Sequence, residues 1–136
     1  MNNLIEELVT KELIFKCHDP RKRHYEEERS LEKCSRQPGY LSLYNSGIRF
    51  CFLLLLKEGY DIKGNSVHTV FKYFIIHFVK TEECDFLNII RARHLLKYNS
   101  TQPTTDTIYS MNKIILELQS ILNTKNHVYS NGKSNN

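Results

Sequence analysis

The sequence has no tryptophan, three prolines, five glycines and four cysteines in 136 residues. Each scarcity excludes something. Glycines this sparse form no Gly-rich phosphate loop, and no serine nucleophile elbow or recognisable acidic pair is present, so the common cofactor-binding and hydrolase motifs are missing. No cofactor is expected. The cysteines, at positions 17, 34, 51 and 84, have no CxxC pair and no secretory signal precedes them. That combination predicts free thiols in a reducing, cytoplasmic protein. Long apolar runs are also absent. The best, "IRFCFLLLLKEGY", is bounded by Arg49 and Lys57, far short of the about 20 residues that span a bilayer. No membrane association is expected.

Metal is a further exclusion. Cys17, His18, His24 and Cys34 are near in sequence, and His77 and Cys84 form a second pair. Neither set has the compact paired spacing of structural zinc. Cys51, within "RFCFLL", reads as core. His68 reads as a satisfied structural histidine.

What is present is helical patterning over one domain's length. Residues 3–16 place Leu4, Ile5, Leu8, Val9 and Leu13 at helical spacing. "CHDPRK" breaks the pattern, with Asp19 as N-cap and Pro20 in the first turn. "RKRHYEEERSLEKCSR" has few apolar contacts and reads as a solvated helix. Its basic start, Arg21 to His24, could touch a nucleic-acid backbone, but three glutamates follow at once and largely cancel the field. "QPGY" is a turn. "YLSLYNSGIRFCFLLLLKEGY" is the central core helix, with Leu41, Tyr44, Ile48, Phe52 and Leu55 on one stripe. Gly47 in its middle costs about 1 kcal/mol against alanine unless a neighbour packs closely, from this chain or a second copy. Gly59 ends it.

"DIKGNS" is a loop that Asn65 or Ser66 closes as a cap. Val67, Val70, Phe71, Phe74, Ile75 and Phe78 then mark another helix, a strand being the alternative that length disfavours. "KTEECD" separates it from "FLNIIRARHLLKY", with Thr81 or Asp85 as caps. A last helix follows Asp106, with Ile108, Met111, Ile115, Leu118 and Leu122 on one face. The fold class is all-α, an up-and-down bundle of four to five helices over residues 1–124. Residues 125–136, "KNHVYSNGKSNN", are polar and expected to be disordered.

Near the end of the apolar pattern, "NIIRARHLLKYNS" gathers Arg91, Arg93, His94, Lys97 and Tyr98. Arg91, His94 and Tyr98 fall at i, i+3 and i+7 and share one helical face; Arg93 and Lys97, at i and i+4, share the adjacent one. Metal-free RNA cleavage needs a base for the 2′-hydroxyl, an acid for the leaving oxygen and positive charge on the phosphate, which histidine and arginine can supply. The other reading is a helix whose cations simply favour its C-terminal dipole. The net charge of +4 fits a nucleic-acid partner and fits ordinary solubility equally.

Three stretches carry a resemblance. "HYEEERSLEKCSRQPGYLSLYNSGIRFCFLLLLKEGYDI" resembles the first helical pair of the HEPN superfamily, in its small single-domain prokaryotic form. "SVHTVFKYF" resembles the start of that family's third helix, and "RARHLLKYN" its late motif. The likeness spans about residues 20–122 and lies in order and spacing. It implies a HEPN-like bundle, a homodimer with the late motifs facing across a cleft, RNA as substrate, and metal-independent endoribonuclease activity. It further implies a toxin–antitoxin or anti-phage defence role, with a nucleotidyltransferase antitoxin as protein partner. Arg93 matches the motif arginine and His94 the polar residue after it. Tyr98 stands where the family usually has histidine, and tyrosine, with an ordinary pKa of about 10, is a poor general base at neutral pH. The resemblance thus assigns catalysis to Arg93, His94 and Tyr98, and nucleic-acid binding to Arg91, Arg93 and Lys97. A non-catalytic helical assembly module that docks a protein partner is the alternative, since some family members have lost the histidine.

Overall fold

Amphipathic spacing builds most of this molecule, and where the spacing misleads, backbone geometry shows why. The computed structural model describes residues 1–78 and 83–134, with side chains over 1–78 and 86–124. The structure is 79% helical, with six α-helices among the described residues, one or two more than the bundle expected from the apolar pattern. They are α1 (Asn2–Thr10), α2 (Pro20–Ser35), α3 (Tyr40–Lys57), α4 (Val67–Phe78), α5 (Glu83–Asn99) and α6 (Thr105–Ser134). A two-stranded antiparallel sheet, β1 (Ile14–Lys16) with β2 (Tyr60–Ile62), accompanies them.

The sheet corrects two expectations. The helix predicted over 3–16 stops at Thr10 because the chain turns left-handed at Glu12, φ 58°. The Leu13 N–H then bonds back to the Leu8 carbonyl and the Glu12 N–H to that of Val9, the Schellman pattern that closes a helix C-terminus. Ile14 is thereby freed to pair with Ile62, both buried. The supposed loop "DIKGNS" consequently begins inside β2 and continues into a single 3-10 turn, Gly64–Ser66.

α3 is the axis of the core. From Phe50 to Leu56 every residue is buried, and α2, α4, α5, α6 and β2 all pack against it. Gly47 is the point of closest approach. A Cβ there would lie 2.6 Å from Phe71 Cζ and 3.0 Å from Met111 Cε. The neighbours that require glycine are thus α4 and α6 of the same chain, not a second copy. The α4 stripe falls as expected, with Val70, Phe71, Phe74 and Ile75 buried. On α6 the buried face is Met111, Ile114, Leu118 and Leu122; Ile108, assigned to the core by spacing, is 38% exposed.

Asp19 caps α2 as expected, its Oδ1 accepting from the Lys22 N–H at 3.2 Å. Gly59, at φ 90°, closes α3. Of the caps expected before α5, Thr81 lies outside the described residues, as does the side chain of Asp85. The α6 backbone continues helically to Ser134, through most of the stretch whose composition predicts disorder. Among the described residues no helix is long and apolar enough to cross a membrane.

Candidate functional site

Among the described residues, two groups of charge differ in their partners. The first lies where α2, α3 and β2 meet. Arg23 Nε donates to Asp61 Oδ2 at 2.8 Å, and its two terminal nitrogens donate to Glu26 and Glu27, each at 2.9 Å. Arg49 donates to the second Glu27 oxygen at 2.8 Å. Both guanidinium groups lie over the Phe52 ring. Glu27 and Asp61 are buried, and Asp61 also accepts from the Ile62 N–H. The expectation of a mostly solvated helix does not extend to Arg23, which is folded inward. Its partner Asp61 is 38 residues away, a pairing that no local pattern signals. Both arginines are engaged by carboxylates, so the network ties elements together and offers no unpaired cation to an anionic ligand.

The second group surrounds α5. Tyr40 and Tyr44, one turn apart on α3, are both buried. The Tyr40 hydroxyl donates to the Ile89 carbonyl at 2.9 Å and pins α5 against α3. The Tyr44 hydroxyl meets His68 Nδ1, at the start of α4, at 2.9 Å. Arg93, half-buried, sets its guanidinium 5.3 Å from the Tyr44 ring centre. Burial pushes the Tyr44 phenol well above its usual pKa, against the opposing pull of Arg93. Partial burial lowers the His68 pKa, and the positive charges of Arg93 and Lys97 lower it further. Tyr44, His68, Arg93 and Lys97 therefore share one electrostatic neighbourhood built from α3, α4 and α5.

The residues singled out from sequence are distributed as follows. Arg93 and His68 both contact Tyr44, and the positive charges of Arg93 and Lys97 both act on His68. His94 and Tyr98 are exposed and their rings touch, with centroids 4.7 Å apart; Lys97 Nζ lies 5.5 Å from the Tyr98 ring. Arg91 is exposed and makes no hydrogen bond or ion pair among the described residues, so the structure does not join it to the cluster. Sequence reasoning missed Tyr44 and His68. The available signal was Tyr44 on the buried α3 stripe, since a core tyrosine needs a partner for its hydroxyl.

Cys17, Cys34 and Cys51 are free thiols. Among the described residues no three His, Cys, Asp or Glu side chains are grouped to hold a metal. A groove of about 460 Å³ between α2, α3 and α6, lined by Leu31, Leu43, Phe50 and Ile115 among others, includes no residue of α5. No protein-family model, curated protein or solved structure matches the chain.

Proposed function

We propose that this chain is a nucleic-acid-associated module that binds RNA at the α5 cluster. One observation carries the reading. Arg93 is half-buried and Lys97 lies one turn further on, yet neither has an acidic partner among the described residues. Arg23 and Arg49, with comparable partial exposure of about 30% and 29%, are both paired. A partly desolvated cation without a counter-charge is costly to hold and is relieved by an incoming anion. The helix dipole accounts for Lys97, in the last turn of α5, but falls off before Arg93. The exposed Tyr98 ring against His94 adds a surface on which an unpaired base can stack, which suits single-stranded RNA.

The resemblance of "RARHLLKYN" to the HEPN late motif extends this proposal to a HEPN-like bundle in a toxin–antitoxin or anti-phage defence system, acting as a homodimer or with a protein partner. Metal-independent RNA cleavage is the activity such a motif would carry, with Arg93 on the phosphate and His94 or Tyr98 assisting.

The test is RNA retention and integrity in EDTA, using labelled single-stranded and hairpin RNA with wild-type, Arg93→Ala and His94→Ala proteins. Arg93→Ala is expected to weaken binding at least about tenfold, the loss of a charge-assisted contact, while the helical circular dichroism stays unchanged. Cleavage lost in both variants would make the module a ribonuclease. A folded wild type that retains RNA no better than Arg93→Ala overturns the proposal and leaves the assembly-module reading.

A further inference from the structure

We propose that His68 completes the anion site as a hydrogen-bond donor, presenting its Nε2–H to a phosphate oxygen of RNA held by Arg93 and Lys97. This rests on the RNA-binding reading above and names a group in that site which lies outside the α5 motif.

Tyr44 sets the protonation geometry of His68. It is fully buried, with 0% exposure, and burial keeps its phenol protonated. Among the described residues its hydroxyl has one hydrogen-bond partner, His68 Nδ1 at 2.9 Å. A buried O–H left without an acceptor costs about 1–3 kcal/mol, so Tyr44 donates and Nδ1 accepts. A neutral imidazole carries a single ring proton, which must then sit on Nε2. The phenol on α3 thereby sets the tautomer of a histidine on α4. His68 is exposed as a residue although its Tyr44 contact is partly buried, and among the described residues its Nε2 has no hydrogen-bond partner.

The charges point the same way. The groups that act on His68 from the packed elements are Tyr44 of α3 and Arg93 and Lys97 of α5. Partial burial and then two nearby cations disfavour the charged form, so the imidazole stays neutral at physiological pH. A neutral donor adds direction to the site without repelling the arginine and lysine. In this tautomer no unprotonated nitrogen faces the ligand, so His68 does not stand in as a general base for the histidine that Tyr98 replaces.

The experiment has two parts. Long-range ¹H–¹⁵N correlation spectra of wild-type protein, with His68 assigned by comparison with His68→Gln, should show the Nε2-protonated tautomer. A spectrum of the Nδ1-protonated form overturns the proposal regardless of RNA. Binding of a single-stranded RNA oligonucleotide in EDTA should weaken about fivefold in His68→Ala, as for loss of one neutral hydrogen bond. It should recover most of that loss in His68→Gln, whose amide N–H falls near the Nε2 position. The wild-type to His68→Ala ratio should be equal at about pH 7 and about pH 8, because the donor is the neutral form. A ratio that collapses at the higher pH makes His68 a bound cation and overturns the proposal. If Arg93→Ala loses binding while His68→Ala binds like wild type, only the His68 role fails. If wild-type protein does not bind RNA, the RNA-binding reading fails with it.

Discussion

At the scale of the residue, several side chains owe their importance to a single contact. Gly47 is one. Alanine there would gain about 1 kcal/mol of helix propensity, yet its methyl would meet the Phe71 ring at 2.6 Å, and Phe71 is fully buried. Overpacking a core costs about 1–3 kcal/mol, so the clash outweighs the propensity. Gly47→Ala should lower stability, by up to about 2 kcal/mol, read as a lower urea midpoint with an unchanged slope. A midpoint at or above wild type would show that Phe71 and Met111 yield freely. Spacing alone revealed that this glycine needed a close neighbour, but it could not say whose. The answer depends on residues 24 and 64 positions further along, in α4 and α6.

At the scale of the element, α1 ends where it does because Glu12 adopts a left-handed conformation, at φ 58°. A non-glycine residue there is strained by roughly 1 kcal/mol, and glycine is the usual occupant of this position in a Schellman closure. Glu12→Gly should therefore leave stability unchanged or raise it by up to about 1 kcal/mol, despite the greater freedom of glycine in the unfolded chain. A loss above about 1 kcal/mol in urea unfolding would sink that account. The start of α4 contributes a pH dependence. The folded pKa of His68 lies below its ordinary value of about 6.5. As pH falls through about 6.5, the unfolded chain takes up a proton that the folded one refuses, so stability declines with falling pH until the folded pKa is passed. Above that window the contribution is fully present. His68→Gln should flatten this part of the stability profile. Parallel wild-type and variant profiles between about pH 5 and pH 7 would contradict it.

At the scale of the whole molecule, the ion network at Arg23 and the cluster at Arg93 have opposite characters. The first is closed by Glu26, Glu27, Asp61 and Arg49 and locks α2 and β2 onto α3. The second presents cations without acidic partners among the described residues. Two or three phosphate contacts are all that Arg93, Lys97 and Arg91 can supply. For single strands this predicts a slope of log affinity against log salt of about −1.4 to −2. A slope steeper than about −4 would mean that RNA binds over a broader basic surface than the end of α5.

Local pattern was sufficient for the helices with apolar faces, for the Asp19 cap, for the end of α3 at Gly59, and for the gathering of Arg93, His94, Lys97 and Tyr98 on one helix. Each depends on residues within a few positions of one another. The antiparallel pairing of Ile14 with Ile62, the inward turn of Arg23 to Asp61, and the Tyr44–His68 contact were decided by tertiary structure, because each joins residues 24 to 48 positions apart. Periodicity reports which face of an element is buried; it carries no information about which buried partner that face will meet. The pairing of one tyrosine hydroxyl with one imidazole nitrogen exists only once α3, α4 and α5 have packed around their common core.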